Sequence, residues 1–119
     1  MDVKSAFLYS NIDKEVYIKL PKGIELFPNI FNLGDTALLL QKALYSLKQS
    51  PRLWQLTLKA ALKRLGYLPL VADQCIYRYT DTGLIIIIYI DDFLLFGPQE
   101  RLKKLKQQLS KAFDIKDLG

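Results

Sequence analysis

The run Leu84-Ile85-Ile86-Ile87-Ile88-Tyr89-Ile90 restricts the fold more than any other segment. Its β-branched side chains are stiff at χ1 and pack well on a pleated surface, so they favour strand over helix. The run is too short for a core helix and far short of the roughly 20 residues that cross a bilayer. It predicts a central strand buried on both faces. Asp91-Asp92 interrupts it, and Phe93-Leu94-Leu95-Phe96-Gly97 resumes the apolar pattern. The segment therefore predicts strand, tight turn at the two acids, and returning strand. A buried unpaired carboxylate is costly and two side by side are more so. Such a turn needs solvent or a compensating charge, and Mg²⁺ is the cation that oxygen donors suit.

Around this hairpin the chain predicts a mixed fold. Asp2 to Leu8 is a short apolar segment ended by turn signals at Asn11 and Asp13. Glu15-Val16-Tyr17-Ile18-Lys19-Leu20 alternates as a strand does and stops at Pro21. Lys22 to Gly34 is rich in Gly, Pro and Asn and predicts a long loop or loose hairpin, and Ala37 to Leu40 a buried strand. Ser50-Pro51 opens a helix, with Ser50 as its cap and Pro51 at the first position. Trp54, Leu58, Ala61, Leu62 and Leu65 share its inner face, Trp54 as a core anchor, and Gly66 terminates it. Cys75 to Tyr79 is a further strand. A second helix follows Pro98, with Leu102, Leu105, Leu109, Ala112 and Phe113 inward. This order predicts an α+β fold, an antiparallel sheet with two helices packed on one face.

Composition narrows the chemistry. The 119 residues suffice for one domain. There is no histidine, which excludes Ser-His-Asp and Cys-His catalysis and imidazole metal sites. The single cysteine, Cys75, permits no internal disulfide, fits a reducing intracellular compartment and reads as a core residue. No secretory signal or membrane span is visible. The net charge of +5 leans towards a polyanionic partner. Arg101, Lys103, Lys104, Lys106 and Lys111 on the second helix are equally satisfied by plain solvation.

Two acids on one turn need a third oxygen ligand. Asp2, at the mouth of its own apolar segment, is the best candidate. Three carboxylates at one sheet edge can hold two Mg²⁺ ions about 4 Å apart, the two-metal arrangement for phosphoryl or nucleotidyl transfer. An exposed Asp-Asp turn with no metal is the competing reading, and the residues alone leave both open.

Several blocks together resemble a known family. Tyr89-Ile90-Asp91-Asp92 resembles the YxDD box of reverse transcriptases. Asp2-Val3-Lys4-Ser5-Ala6-Phe7-Leu8, Glu15-Val16-Tyr17-Ile18 with Leu20-Pro21-Lys22-Gly23, and Ala43-Leu44-Tyr45-Ser46-Leu47-Lys48-Gln49-Ser50-Pro51-Arg52 followed by Trp54 resemble successive blocks of the Ty1/copia class of retrotransposon polymerases. Asp73, Cys75, Tyr77 and Lys116-Asp117-Leu118-Gly119 also fit. The resemblance implies part of the palm domain of an RNA-directed DNA polymerase. Its partners would be an RNA or DNA template with a primer and dNTPs, and its cofactor two Mg²⁺ or Mn²⁺ ions. Asp2, Asp91 and Asp92 would be the catalytic, metal-binding acids, Asp2 and Asp91 carrying most of the coordination. Phe7 would be the aromatic gate against a ribose 2′-OH, Gln49 a nucleotide contact, and Tyr89 and Ile90 contacts to the primer end. As residues, Phe7 also fits a core position, Gln49 a surface amide, and Tyr89 and Ile90 an ordinary strand. Ser46 stands where the family usually has Gly, which alters that turn if it needs positive φ. Leu53 and Gln55 flank Trp54 where other residues are usual.

The family's fingers segment precedes its first acid, and its thumb and RNase H follow. The resemblance therefore implies a palm piece truncated at both ends, with Met1 an internal methionine, little polymerase activity in isolation and marginal solubility. An inactive relic or non-catalytic nucleic-acid-binding remnant, and a two-metal nuclease, are the competing readings.

Overall fold

A computed structural model describes residues 1–23, 37–79 and 83–119 of the protein. The isoleucine run becomes β6 (Ile85–Tyr89), and the returning strand is β7 (Asp92–Phe96). They are the middle of a six-stranded sheet ordered β4-β5-β6-β7-β1-β8, in which β1 is Asp2–Val3, β4 Tyr67–Pro69, β5 Ile76–Tyr79 and β8 Ile115–Lys116. Every pairing is antiparallel. Among the described residues two α-helices, α1 (Ser50–Arg64) and α2 (Gln99–Ser110), complete the α+β architecture.

Paired residues share a face of a sheet and neighbours along a strand alternate. Val3, Tyr77, Ile86 and Phe93 are all buried, and the register puts them on one face. They join Trp54, Leu58 and Leu62 of α1, Leu105 and Leu109 of α2, and Phe113 in a single core. Trp54 and Phe113 meet edge to face at 5.2 Å. The opposite face carries Ile85, Leu94 and Phe96, all exposed. The expectation of a strand buried on both faces is thus corrected: β6 is covered on one side.

Other expectations are corrected too. The Asp2–Leu8 segment is strand only at β1, after which Ala6–Tyr9 forms a 3₁₀ turn. The Ala37–Leu40 candidate yields β3 (Ala37–Leu39), which is exposed and pairs with β2 (Tyr17–Lys19) in a separate two-stranded ribbon. Of the Lys22–Gly34 loop, residues 24–34 lie outside the described residues. Cys75 is exposed. Ala112, beyond the end of α2, is exposed, whereas Phe113 is buried. Ser50 does not cap α1: its hydroxyl donates to the Leu44 carbonyl. Gly66 follows the helix end at φ +87°, as a C-terminal glycine should, and a Cβ there would meet the Tyr79 ring at 2.6 Å.

Burial chiefly raises the Tyr67 and Tyr77 phenols above the ordinary value of 10.0. The unfolded chain therefore loses these protons first, so the stability they contribute is intact below about pH 10 and declines as pH rises further. Urea midpoints should fall as pH rises above about 10, and a flat profile there would contradict this account.

Candidate active site

The turn lies one residue earlier than expected. Tyr89 pairs with Asp92, so the loop is Ile90-Asp91 and Asp92 is already strand. Ile90 sits at φ +58° and Asp91 does not share the positive φ. For a β-branched residue this is an outlier of order 1–3 kcal/mol, which persists only where surroundings enforce it. Here the surroundings are visible. The Trp54 indole N–H donates to the Ile90 carbonyl at 2.8 Å. The Val3 N–H donates to the Asp91 carbonyl at 3.1 Å, and the Phe93 N–H to the Met1 carbonyl at 2.7 Å. Helix α1 and strand β1 thus hold the turn from two sides.

The same bonds bring the segments that carry the acids together. Asp2 lies directly opposite Asp92 in the β1–β7 pair. Asp2, Asp92 and Tyr89 consequently share the uncovered face, while Asp91 occupies the turn beside them. Asp2 and Asp91 are half-buried and Asp92 is exposed. Tyr89 and Ile90 are 76% and 51% exposed, a solvent-facing rim around the acids.

Tyr45, to which sequence reasoning assigned no role, reaches the same point. Its hydroxyl stands 3.5 Å from Asp91 Oδ2, a long contact. Desolvation, then the negative charge of Asp91 and, more weakly, that of Asp2, push its phenol up. Phe7 is buried and packs edge to face against the Tyr45 ring at 4.3 Å. Gln49 is half-buried where α1 begins, and no described contact joins its side chain to the acids. Ser46 has no positive φ, so serine fits its turn. A cleft of about 390 Å³, lined by Lys48, Arg52, Trp54, Cys75, Ile88 and Ile90 among others, adjoins the turn and contains none of the three acids.

The donors suit a hard cation: carboxylate oxygens, with no histidine in the chain. Among the described residues no three acids form a group that could by itself hold a metal ion. Mg²⁺ is typically held by one or two carboxylates together with waters and substrate phosphates. Among the described residues no helix is long and apolar enough to cross a membrane.

Comparison with known proteins agrees with the motifs. The family model described as reverse transcriptase (RNA-dependent DNA polymerase) matches residues 1–119. The chain is 39% identical to the retrovirus-related Pol polyprotein from transposon TNT 1-94 of Nicotiana tabacum, over 100% of this chain and 9% of that protein. It is 38% identical to a putative transposon Ty5-1 protein of Saccharomyces cerevisiae, over 100% of this chain and 38% of the relative. It is 32% identical to a truncated transposon Ty1-A Gag-Pol polyprotein of the same yeast, over 98% of this chain and 9% of the relative. The chain thus spans between about a tenth and two fifths of the length of these relatives. No solved structure matches it significantly. By the family model and these relatives, the chain belongs to the reverse transcriptase family, in its Ty1/copia retrotransposon type.

Proposed function

We propose that these residues form the palm piece of an RNA-directed DNA polymerase, adding deoxynucleotides to a primer 3′-OH on an RNA or DNA template. In that reaction the 3′ oxygen attacks the α-phosphate and pyrophosphate leaves. The observation that carries this reading is the strained Ile90-Asp91 turn, held by the Trp54 indole and by the N–H of Val3, the residue after Asp2. Strain of this kind clusters at functional sites, where the surrounding structure enforces it.

Asp2 and Asp91 are the principal metal ligands in this reading, with Asp92 the third acid. Bound Mg²⁺ or Mn²⁺ supplies neutralising charge for the phosphates and a more acidic 3′-OH. The protein's part is positioning. Val3 and Trp54 fix the turn backbone so that the Asp91 carboxylate does not reorganise when phosphates arrive. Tyr89 and Ile90 offer exposed apolar surface to the primer end. Phe7 lends its bulk to sugar selection and Gln49 contacts the nucleotide. The net charge of +5 suits a nucleic-acid partner, although Lys106 is engaged by Asp117 at 2.7 Å and Arg52 by Asp13 at 3.4 Å.

The test is primer extension by the full-length chain that carries these residues. A labelled primer on RNA or DNA template should lengthen with dNTPs only when Mg²⁺ or Mn²⁺ is present. No extension under any of these conditions, or cleavage of nucleic acid without dNTPs, would overturn the reading in favour of a relic or a nuclease.

A further inference from the structure

At the far end of the β6–β7 hairpin from the acid turn, a pocket of about 150 Å³ opens between the end of α1, the β4–β5 pair and α2. Leu84 lines it and Ile90 opens the acid turn, so about 20 Å of extended chain separates the two places. Its polar lining is Tyr67, Tyr79, Arg101, Lys104 and Gln108, and the rest is leucine. Two cations and no carboxylate thus face one small space. We propose that this pocket binds a phosphate dianion, either free inorganic phosphate or the 5′-terminal phosphate of a nucleic acid strand. The inference goes beyond the polymerase reading and does not depend on it.

The phenols are set in place by the sheet. Tyr67 and Tyr79 stand opposite one another in the β4–β5 pair, their rings 5.4 Å apart. Gly66 leaves room for the Tyr79 ring, which a Cβ would strike. Tyr67 is 5% exposed, yet among the described residues nothing bonds its hydroxyl. That oxygen is nevertheless not sealed from solvent. A nearly buried hydroxyl left unbonded is costly, so it is suited to donate to whatever enters the pocket. Burial, then the neighbouring Tyr79, raise the Tyr67 phenol, which keeps its proton in place at neutral pH. The charges come from α2, where Arg101, Lys104 and Gln108 follow one another at helical spacing along one stripe. Among the described residues neither Arg101 nor Lys104 has an ion-pair partner, whereas Lys106 on the same helix is held by Asp117. The guanidinium supplies a planar fork of donors, the ammonium a point charge, and each phenol one donor. Two positive charges match a dianion, and this set of donors matches its three terminal oxygens. A carboxylate has only two oxygens and would leave donors unmet. An internal phosphodiester carries one negative charge, and its two ester substituents keep its oxygens from a nearly buried phenol.

The experiment is calorimetric titration of the full-length chain with sodium phosphate, in metal-free buffer held at constant ionic strength with chloride. Phosphate should bind saturably. Tyr67→Phe keeps the ring packing and removes the hydroxyl, so it should weaken binding about tenfold. Arg101→Gln combined with Lys104→Gln should abolish it, and both positions are exposed, so the fold should survive. Asp2→Asn combined with Asp91→Asn should bind phosphate as the native chain does, which separates this pocket from the acid site. Competition then names the source. Displacement of phosphate by a 5′-phosphorylated oligonucleotide but not by its 5′-hydroxyl counterpart assigns a strand end, and displacement by neither assigns free phosphate. Equal displacement by both would make the backbone phosphodiester the ligand and overturn the assignment. Heat no larger than the chloride blank, or phosphate binding unchanged in either the Tyr67→Phe or the Arg101→Gln, Lys104→Gln variant, would overturn it as well.

Discussion

Trp54→Ala lowers folding stability by about 3–5 kcal/mol, the range for deleting a large buried aromatic side chain. Trp54 is 2% exposed and touches Tyr9 and Phe113 as well as the aliphatic core. Against a total of about 5–15 kcal/mol for a typical domain, that is a large fraction. The loss has a second component that cavity formation does not describe. The indole N–H is the donor that holds the Ile90 carbonyl, and Ile90 sits in a conformation its β-branched side chain resists. Trp54→Phe separates the two. It keeps most of the packing and removes only the donor, so the stability change should be nearer about 1–2 kcal/mol. The freed turn should nevertheless relax, and primer extension should fall far more than stability does. Urea midpoints and extension rates of the two variants check this. Native-like extension by Trp54→Phe would mean the turn keeps its shape without the indole.

Trp54 also shows what a sequence can and cannot convey. Its burial on the inner face of α1 follows from helical spacing. Its bond to Ile90 was detectable in principle, because a buried indole N–H needs an acceptor, but spacing does not say which. The hairpin was legible because β-branched runs and paired acids leave few alternatives. Its exact turn was not, since local preference argues against Ile at positive φ and only tertiary contacts overrule it. β4 and β8 escaped notice because strands of three and two residues carry no usable periodicity. Ala37–Leu39 looked buried because it is apolar, and an exposed apolar ribbon reads the same. Tyr45 was passed over for the same reason that Phe7 was singled out: the motif points to the residue near the first acid, whereas exposure is a property of the folded loop.

The largest functional effects should come from the acids, and their ranking is specific. Asp2→Asn and Asp91→Asn should each slow incorporation by about two to three orders of magnitude or more, the scale seen when one electrostatic group is removed from a preorganised site. Asp92→Asn should cost less. The distinction is physical. The Tyr45 hydroxyl stands 3.5 Å from Asp91 Oδ2, and Asp91 and Asp2 are both half-buried, whereas Asp92 is exposed along β7. Asparagine keeps the shape of aspartate and removes repulsion between neighbouring carboxylates. The same variants should therefore melt no lower than the native protein, and a modest rise is expected. Metal should reveal the other half of this trade. Millimolar Mn²⁺ or Mg²⁺ should raise the melting temperature of the native protein by binding the folded state, and the Asp2→Asn, Asp91→Asn double variant should lose that rise. Loss of activity without loss of stability identifies a charge kept for chemistry. If Asp92→Asn proves as damaging as Asp91→Asn, or if metal stabilises the double variant equally, the ions are held by other groups and the pairing of Asp2 with Asp91 is not the centre of the site.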